Sequence, residues 1–267
     1  MFNRIKCRSE LIVVIILFIH TGCKKDPGRY DGLSERFTNS IGMEMVLVKP
    51  HDREKAPRFK PFYISATEVT NQQFERFMLG HRDYRDSCSS DDNQPVVYVS
   101  YYDAEEFAEW LSDKEERKYR IPKEEEWIYA ATGGNEDLLY STSTGELSHN
   151  LANILGTGQR DTFLLTAPVA SFPPNKSGIY DMTGNVWEWC DSWYIEKRTI
   201  HRIWLKPKWN HDIEIPFIWY TKPKKWRVVK GGSYLHSGAN QRITLRNAYK
   251  PDTRESSYGF RVVMRIK

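Results

Sequence analysis

The sequence predicts one α+β domain, poor in regular secondary structure and preceded by an export leader. Helical patterns with capping signals gather before residue 134. Beyond that point glycine, proline, asparagine and aromatic residues dominate, broken by short strand-like pieces. The 267 residues are 40% hydrophobic and 13% aromatic, enough for a sizeable core and against disorder.

The leader comes first. Arg4, Lys6 and Arg8 precede the apolar run "LIVVIILFI" at 11–19. Nine residues fall far short of the roughly 20 that span a bilayer, but suit the apolar centre of a signal peptide. "HTGC" follows and looks like a bacterial lipobox, with small Thr21 and Gly22 before Cys23. The expected organisation is a signal peptide at 1–22, a lipidated Cys23 with a polar tether to residue 40, and a domain at 41–267. An ordinary cleaved signal or an uncleaved anchor are the alternatives. The expected location is outside the cytoplasm, lipid-anchored to a bacterial membrane. The outer membrane is favoured, on its periplasmic or surface face, because Lys24 follows the lipid cysteine.

Within the domain, "GMEMVLVK" (42–49) and "RFKPFYIS" (58–65) read as short strands. "TNQQFERFM" opens with Thr70 answered by Gln73, a capping box ahead of Phe74, Phe77 and Met78 on one helical face. Ser100 and Asp103 repeat that pattern ahead of Phe107, Trp110 and Leu111. A third helix is expected through "PKEEEWIYAA", with Pro122 in its first turn and Gly133–Gly134 ending it. "PVASF", "RVVKGGSY" and "GFRVVMRI" are the later strand-like pieces.

Formal charge is +4, and the leader's three basic residues and Glu10 account for two of those charges. So slight a basic balance gives no argument for nucleic acid. Of four cysteines, Cys7 leaves with the leader and Cys23 takes lipid. Cys88 and Cys190 remain, and an exported chain is expected to join them as a disulfide. The segment "IEKRTIHRIWLKPKWNHDIEIPFIWYTKPKKW" interleaves Trp204, Trp209, Trp219 and Trp226 with cations. It reads equally as a glycan- or protein-gripping surface and as a hairpin with its tryptophans buried.

In chain order, "YISATEVTNQQFERF", "PVVYVSYYDAEEFAEWL", "RIPKEEEWIYAATGG", "TAPVASFPPNKSGIYDMTGNVWEW", "RVVKGGSY" and "YGFRVV" resemble the sulfatase-modifying-factor family, which includes the formylglycine-generating enzymes. The resemblance covers about residues 41–267 and implies a loop-rich, C-type-lectin-like fold. In the family's oxidases two cysteines after the Gly-Gly-Ser motif hold copper(I), a soft ion that favours thiolates. The matching positions here are His236 and Gln241. Neither copper nor formylglycine-generating oxidation is therefore expected. The resemblance also implies a ligand cleft, matched by Trp187, Ser233, Tyr234, His236 and Gln241. It implies Arg246 and Arg261 as structural ion-pair partners.

The resemblance further implies structural calcium at two places. One set is Asn153, Ile154, Asp161 and Phe163. The other lies in "DMTGNVWEW": Asp181 and Glu188 with the carbonyls of Met182, Gly184 and Val186. Calcium accepts six to eight oxygens in flexible geometry, which suits loops. An Asx-type turn with Glu188 in an ion pair is the alternative for the second set. Some relatives use the fold as an envelope scaffold or a lectin-like surface protein. The expected function is thus a membrane-anchored, non-catalytic module that binds envelope proteins or glycans. The alternative is a metal-dependent oxidase of the family built around His236.

Overall fold

The computed structural model describes residues 32–49, 60–194 and 225–266, and the fold forms one unit from Ser34 onward. Cys23, most of the tether, and Trp204, Trp209 and Trp219 lie outside the described residues. Among the described residues no helix is long and apolar enough to cross a membrane.

Two small sheets carry the domain. The first holds β1 (Arg36–Thr38), β2 (Glu44–Val48), β3 (Phe62–Ser65), β4 (Tyr119–Arg120) and β9 (Val263–Arg265), all antiparallel, in the order β1-β2-β3-β9-β4. Its β3–β9 pairing sets Ile64 opposite Val263, joining the start and end of the domain. The second holds β5 (Trp187–Trp193), β6 (Arg227–Lys230), β7 (Asn247–Tyr249) and β8 (Tyr258–Gly259) in the order β7-β6-β5-β8. There β8 runs parallel to β5 while the other pairs are antiparallel. "PVASF" forms no strand: Ala170 has a φ of +61°, and Ser171 N closes a turn onto the Pro168 carbonyl.

Both expected capping boxes form. Thr70 and Gln73 open α1 (Asn71–Phe74), a single turn rather than the longer helix that the Phe74–Phe77–Met78 spacing suggests. A 3₁₀ stretch at Leu79–Tyr84 follows instead, and Phe74 turns in to stack on Phe107 with ring centroids 5.6 Å apart. Ser100 and Asp103 open α2 (Tyr101–Glu115), which buries Phe107 and Leu111 fully. For α3 (Glu124–Thr132) the cap is Lys123, so Pro122 stands one residue before the cap rather than in the helix's first turn. Glu126 accepts from the Lys123 N–H at 2.9 Å, and Gly133 ends the helix at a φ of +60°, a conformation open to glycine.

The main core joins the two sheets through α3. Val46, Val48, Phe62 and Ile64 of the first sheet meet Trp127 and Ala130 of α3, with Cys190 and Val228 of the second. Burying a side chain of this size stabilises the fold by about 1.5–3 kcal/mol relative to exposure.

Candidate functional site

The C-terminal site is built on the turn that leaves β6. Gly231 and Gly232 take φ values of +98° and +79°, and a Cβ on Gly232 would collide with the Gln241 side chain. Glycine is required there by both conformation and space. The turn delivers Ser233 and Tyr234 inward and Leu235 outward.

The structure brings the five expected cleft residues together and then buries four of them. Trp187, Ser233, Tyr234 and Gln241 are at most 2% exposed, whereas His236 is half-buried. Ser233 Oγ lies 2.9 Å from His236 Nδ1, and Trp187 meets the His236 ring edge-on at 5.6 Å. Gln241 Nε2 donates to the carbonyls of Ser233 at 2.8 Å and His236 at 2.7 Å. Tyr234 donates from its hydroxyl to Ser256 Oγ at 3.2 Å. The five expected cleft residues thus form a closely packed cluster, in which Gln241 Nε2 satisfies two carbonyls and Gln241 Oε1 is buried without a partner. Burial lowers the His236 pKa, so its imidazole is neutral at pH 7.

The residues present do not fit copper(I). Gln241 offers a locked amide and His236 one imidazole hydrogen-bonded to Ser233, with no thiolate at either position.

The first calcium set presents a different picture. Asp161, fully buried, accepts from Phe163 N at 3.1 Å through one oxygen, and from Ile154 N at 3.2 Å and His149 Nδ1 at 3.1 Å through the other. One carboxylate thus draws together the Ile154 and Phe163 segments of this set. Asn153 Nδ2 donates to Leu165 O and Asn185 Oδ1, yet its Oδ1 is buried without a partner. A buried amide oxygen left unpaired costs about 1–3 kcal/mol, and a hard cation satisfies it. Of this set Asn153 Oδ1 is open to a hard cation, while both Asp161 oxygens already accept N–H donors; calcium held there would supply charge and cross-linking to the loop rather than chemistry.

"DMTGNVWEW" is a strained turn running into β5. Asp181, Gly184 and Asn185 all have positive φ, at +56°, +85° and +56°. A Cβ on Gly184 would collide with the Asn153 carbonyl, which itself accepts from Asn185 N at 2.9 Å. Glu188 is fully buried and bound bidentately by Arg261 at 2.6 and 2.7 Å, with Trp127 Nε1 donating at 2.7 Å. Both of its oxygens are thus taken by an ion pair, the alternative reading of this stretch. Asp181 accepts from Ala170 N at 2.7 Å. The backbone carbonyls of Met182 and Val186 converge beside Gly231.

Sequence reasoning missed two residues here. Glu68, in "ATEVTN", is fully buried, accepts from Asn185 Nδ2 at 3.1 Å, and shares a side-chain hydrogen bond with Asp181. Burial, then the charges of Asp181 and Glu188, push its pKa well up; burial likewise pushes Asp181 up to about 6. Lys230 is also fully buried, donating to the carbonyls of Ile243 at 2.5 Å and Leu245 at 2.6 Å, and burial pushes its pKa down to about 8. Nothing in one sequence separates such a glutamate or lysine from a surface one.

The expected arginines behave as expected. Arg246 binds Glu124 bidentately at 2.6 and 2.8 Å, while Arg261 holds Glu188. The expected disulfide does not form, since Cys88 and Cys190 are both free thiols. Cys190 is fully buried beneath α3, whereas Cys88 is half-buried in the loop after α1 and receives the Thr166 hydroxyl on its carbonyl.

The chain matches the "Sulfatase-modifying factor enzyme 1-like domain" over residues 37–266. It is 33% identical over 243 residues to a formylglycine-generating enzyme of Streptomyces coelicolor, covering 85% of this chain and 69% of that protein. It is 35% identical over 186 residues to the mouse formylglycine-generating enzyme, covering 63% of this chain but only 44% of the mouse protein. PvdO from Pseudomonas aeruginosa superimposes with a TM-score of 0.65 at 25% identity, covering 86% of this chain and 98% of PvdO. The mixed helix-and-sheet, loop-rich architecture is shared with that structure. With the match spanning nearly all described residues, the chain belongs to the sulfatase-modifying-factor, formylglycine-generating-enzyme-like family.

Proposed function

We propose that this domain is a non-catalytic binding module, tethered to a bacterial membrane through lipid on Cys23, that holds envelope proteins or glycans. The observation that carries the reading is Gln241. It is fully buried, and its amide nitrogen is spent on the Ser233 and His236 carbonyls, where the family's oxidases use a copper thiolate. Opening that position would leave two buried carbonyls unpaired. The loop outside it is instead a contact surface. Leu235 is 47% exposed and Leu155 is 56% exposed, and Leu155 N donates to the His236 carbonyl at 2.9 Å, so two apolar side chains flank one rigid turn. Calcium at the Asn153–Phe163 loop would stiffen the wall beside that turn.

Crosslinking in intact cells followed by pull-down should recover a defined envelope partner, and Cys23→Ser should release the protein from the detergent phase. With copper and a thiol reductant, the protein should leave a Cys-x-Pro-x-Arg peptide unconverted by mass spectrometry. Conversion abolished by His236→Ala would replace this reading with the oxidase one.

A further inference from the structure

A cavity of about 280 Å³ lies between the start of α2, the residues entering β6 and the turn after β7. Its lining is Tyr102, Lys225, Trp226, Lys250, Pro251 and Asp252. We propose that it is a saccharide-binding site for an acidic sugar ring, an inference that rests on the binding-module reading above.

The walls are aromatic and half out of the protein. Tyr102 is 49% exposed and Trp226 is 48% exposed, so each offers a ring face to solvent. Two half-exposed rings lining one depression give a stacking surface that a single exposed ring does not. The apolar C–H face of a pyranose is the complement of such a ring. The volume lies below the roughly 300–1,000 Å³ of pockets that bury drug-sized ligands, which suits one ring with the rest of the glycan in solvent.

The polar groups choose the sugar. Lys225 and Lys250 line the depression with two cationic side chains suited to a carboxylate, and Asp252 adds an acceptor suited to ring hydroxyls. A nucleotide would stack equally well, but its phosphates set several negative charges against Asp252 where an acidic sugar sets one. A quaternary ammonium would suit the rings, but the two lysines repel it.

The walls are also held in place before any ligand arrives. Tyr101 N donates to the Pro251 carbonyl at 2.9 Å, and Thr253 N closes the turn onto Lys250 O at 3.0 Å, which ties that turn to the start of α2. Tyr194 N binds the Trp226 carbonyl at 2.9 Å. The next residue, Arg227, lies between the rings of Tyr101 at 4.0 Å and Trp193 at 3.9 Å and pairs with Asp191 at 2.9 Å. The backbone that carries these walls is thus fixed before binding, and the freedom lost on binding is that of the exposed side chains.

Titrating the full chain with oligogalacturonate, a neutral galactose oligomer and ATP tests the assignment by calorimetry and tryptophan fluorescence. Oligogalacturonate should bind at least tenfold more tightly than the neutral oligomer. Trp226→Ala should weaken it at least tenfold with an unchanged melting temperature. Lys250→Gln should reduce the preference for the acid over the neutral sugar. No saturable binding of oligogalacturonate, binding indifferent to Trp226→Ala, or tighter binding of ATP would each overturn the site. The crosslinked envelope partner separates the two readings. If it persists in Trp226→Ala while oligogalacturonate fails to bind, the module reading stands and the saccharide site falls.

Discussion

The loop at Asn153–Phe163 and the turn at Asp181–Glu188 lie side by side, and the family resemblance implies calcium in both. In the first, Asp161 is answered by backbone N–H groups and a histidine, while Asn153 Oδ1 has no partner. In the second, Glu188 is answered by a full positive charge from Arg261. An acidic residue in a metal-like motif is therefore only half of a metal site. What decides its role is whether the fold sends it a protein cation, and Arg261 is 73 residues away from Glu188.

The largest effect that tests this contrast is the loss of Glu188. Removing one partner of a buried pair strands the other charge, so Glu188→Ala should cost about 3–5 kcal/mol in denaturant unfolding. The loss should be the same in calcium and in EGTA. Should Glu188→Ala fail to fold, Glu188→Gln keeps the shape and allows the same comparison. A calcium response that disappears in either variant would make the second loop a metal site after all.

Next is calcium itself. At a hundredfold excess over its dissociation constant, one site should add about 2.7 kcal/mol. Melting should therefore fall in EGTA and recover with calcium. Asn153→Ala should remove that response; an EGTA-insensitive wild type would remove calcium from both loops.

A smaller effect concerns Glu68 and Asp181. Their folded pKa values are raised, so the folded state holds protons more tightly than the unfolded one. The stability this supplies is complete below the ordinary carboxylate range. It is lost as pH climbs from 3.8 through about 6 for Asp181, and as pH climbs through the raised pKa of Glu68. One extra bound proton sets a slope of at most about 1.4 kcal/mol per pH unit. Glu68→Gln should gain on the wild type as pH rises from 4 to 7. Parallel pH profiles would show that the two carboxylates do not share this burden.

The smallest effect belongs to the thiols. Cys190, two residues past Glu188, is fully buried and should react with a thiol label only after unfolding, while half-buried Cys88 should react in the native state. Cys88→Ser should shift stability by no more than about 0.5 kcal/mol. Two unreactive thiols released by a reductant would restore the disulfide.

Local chemistry made much of this protein legible before folding was considered. Thr70–Gln73 and Ser100–Asp103 announce helix starts because a capping box satisfies orphan N–H groups within four residues. Gly133, Gly184 and Gly232 announce turns because positive φ is open to glycine. His236 and Gln241 announce the missing thiolates by residue type alone. Tertiary structure decided the rest. The length of α1 was set by Phe74 turning into the aromatic core, and the absence of a disulfide by two cysteines placed in different surroundings. The packed cluster around Gln241, the ion pair on Glu188, and the burial of Glu68 and Lys230 all depend on groups 5 to 117 residues apart. Spacing along the chain specifies what a residue can do with its neighbours. Which charge or carbonyl it meets across the fold depends on the packing of every element between them.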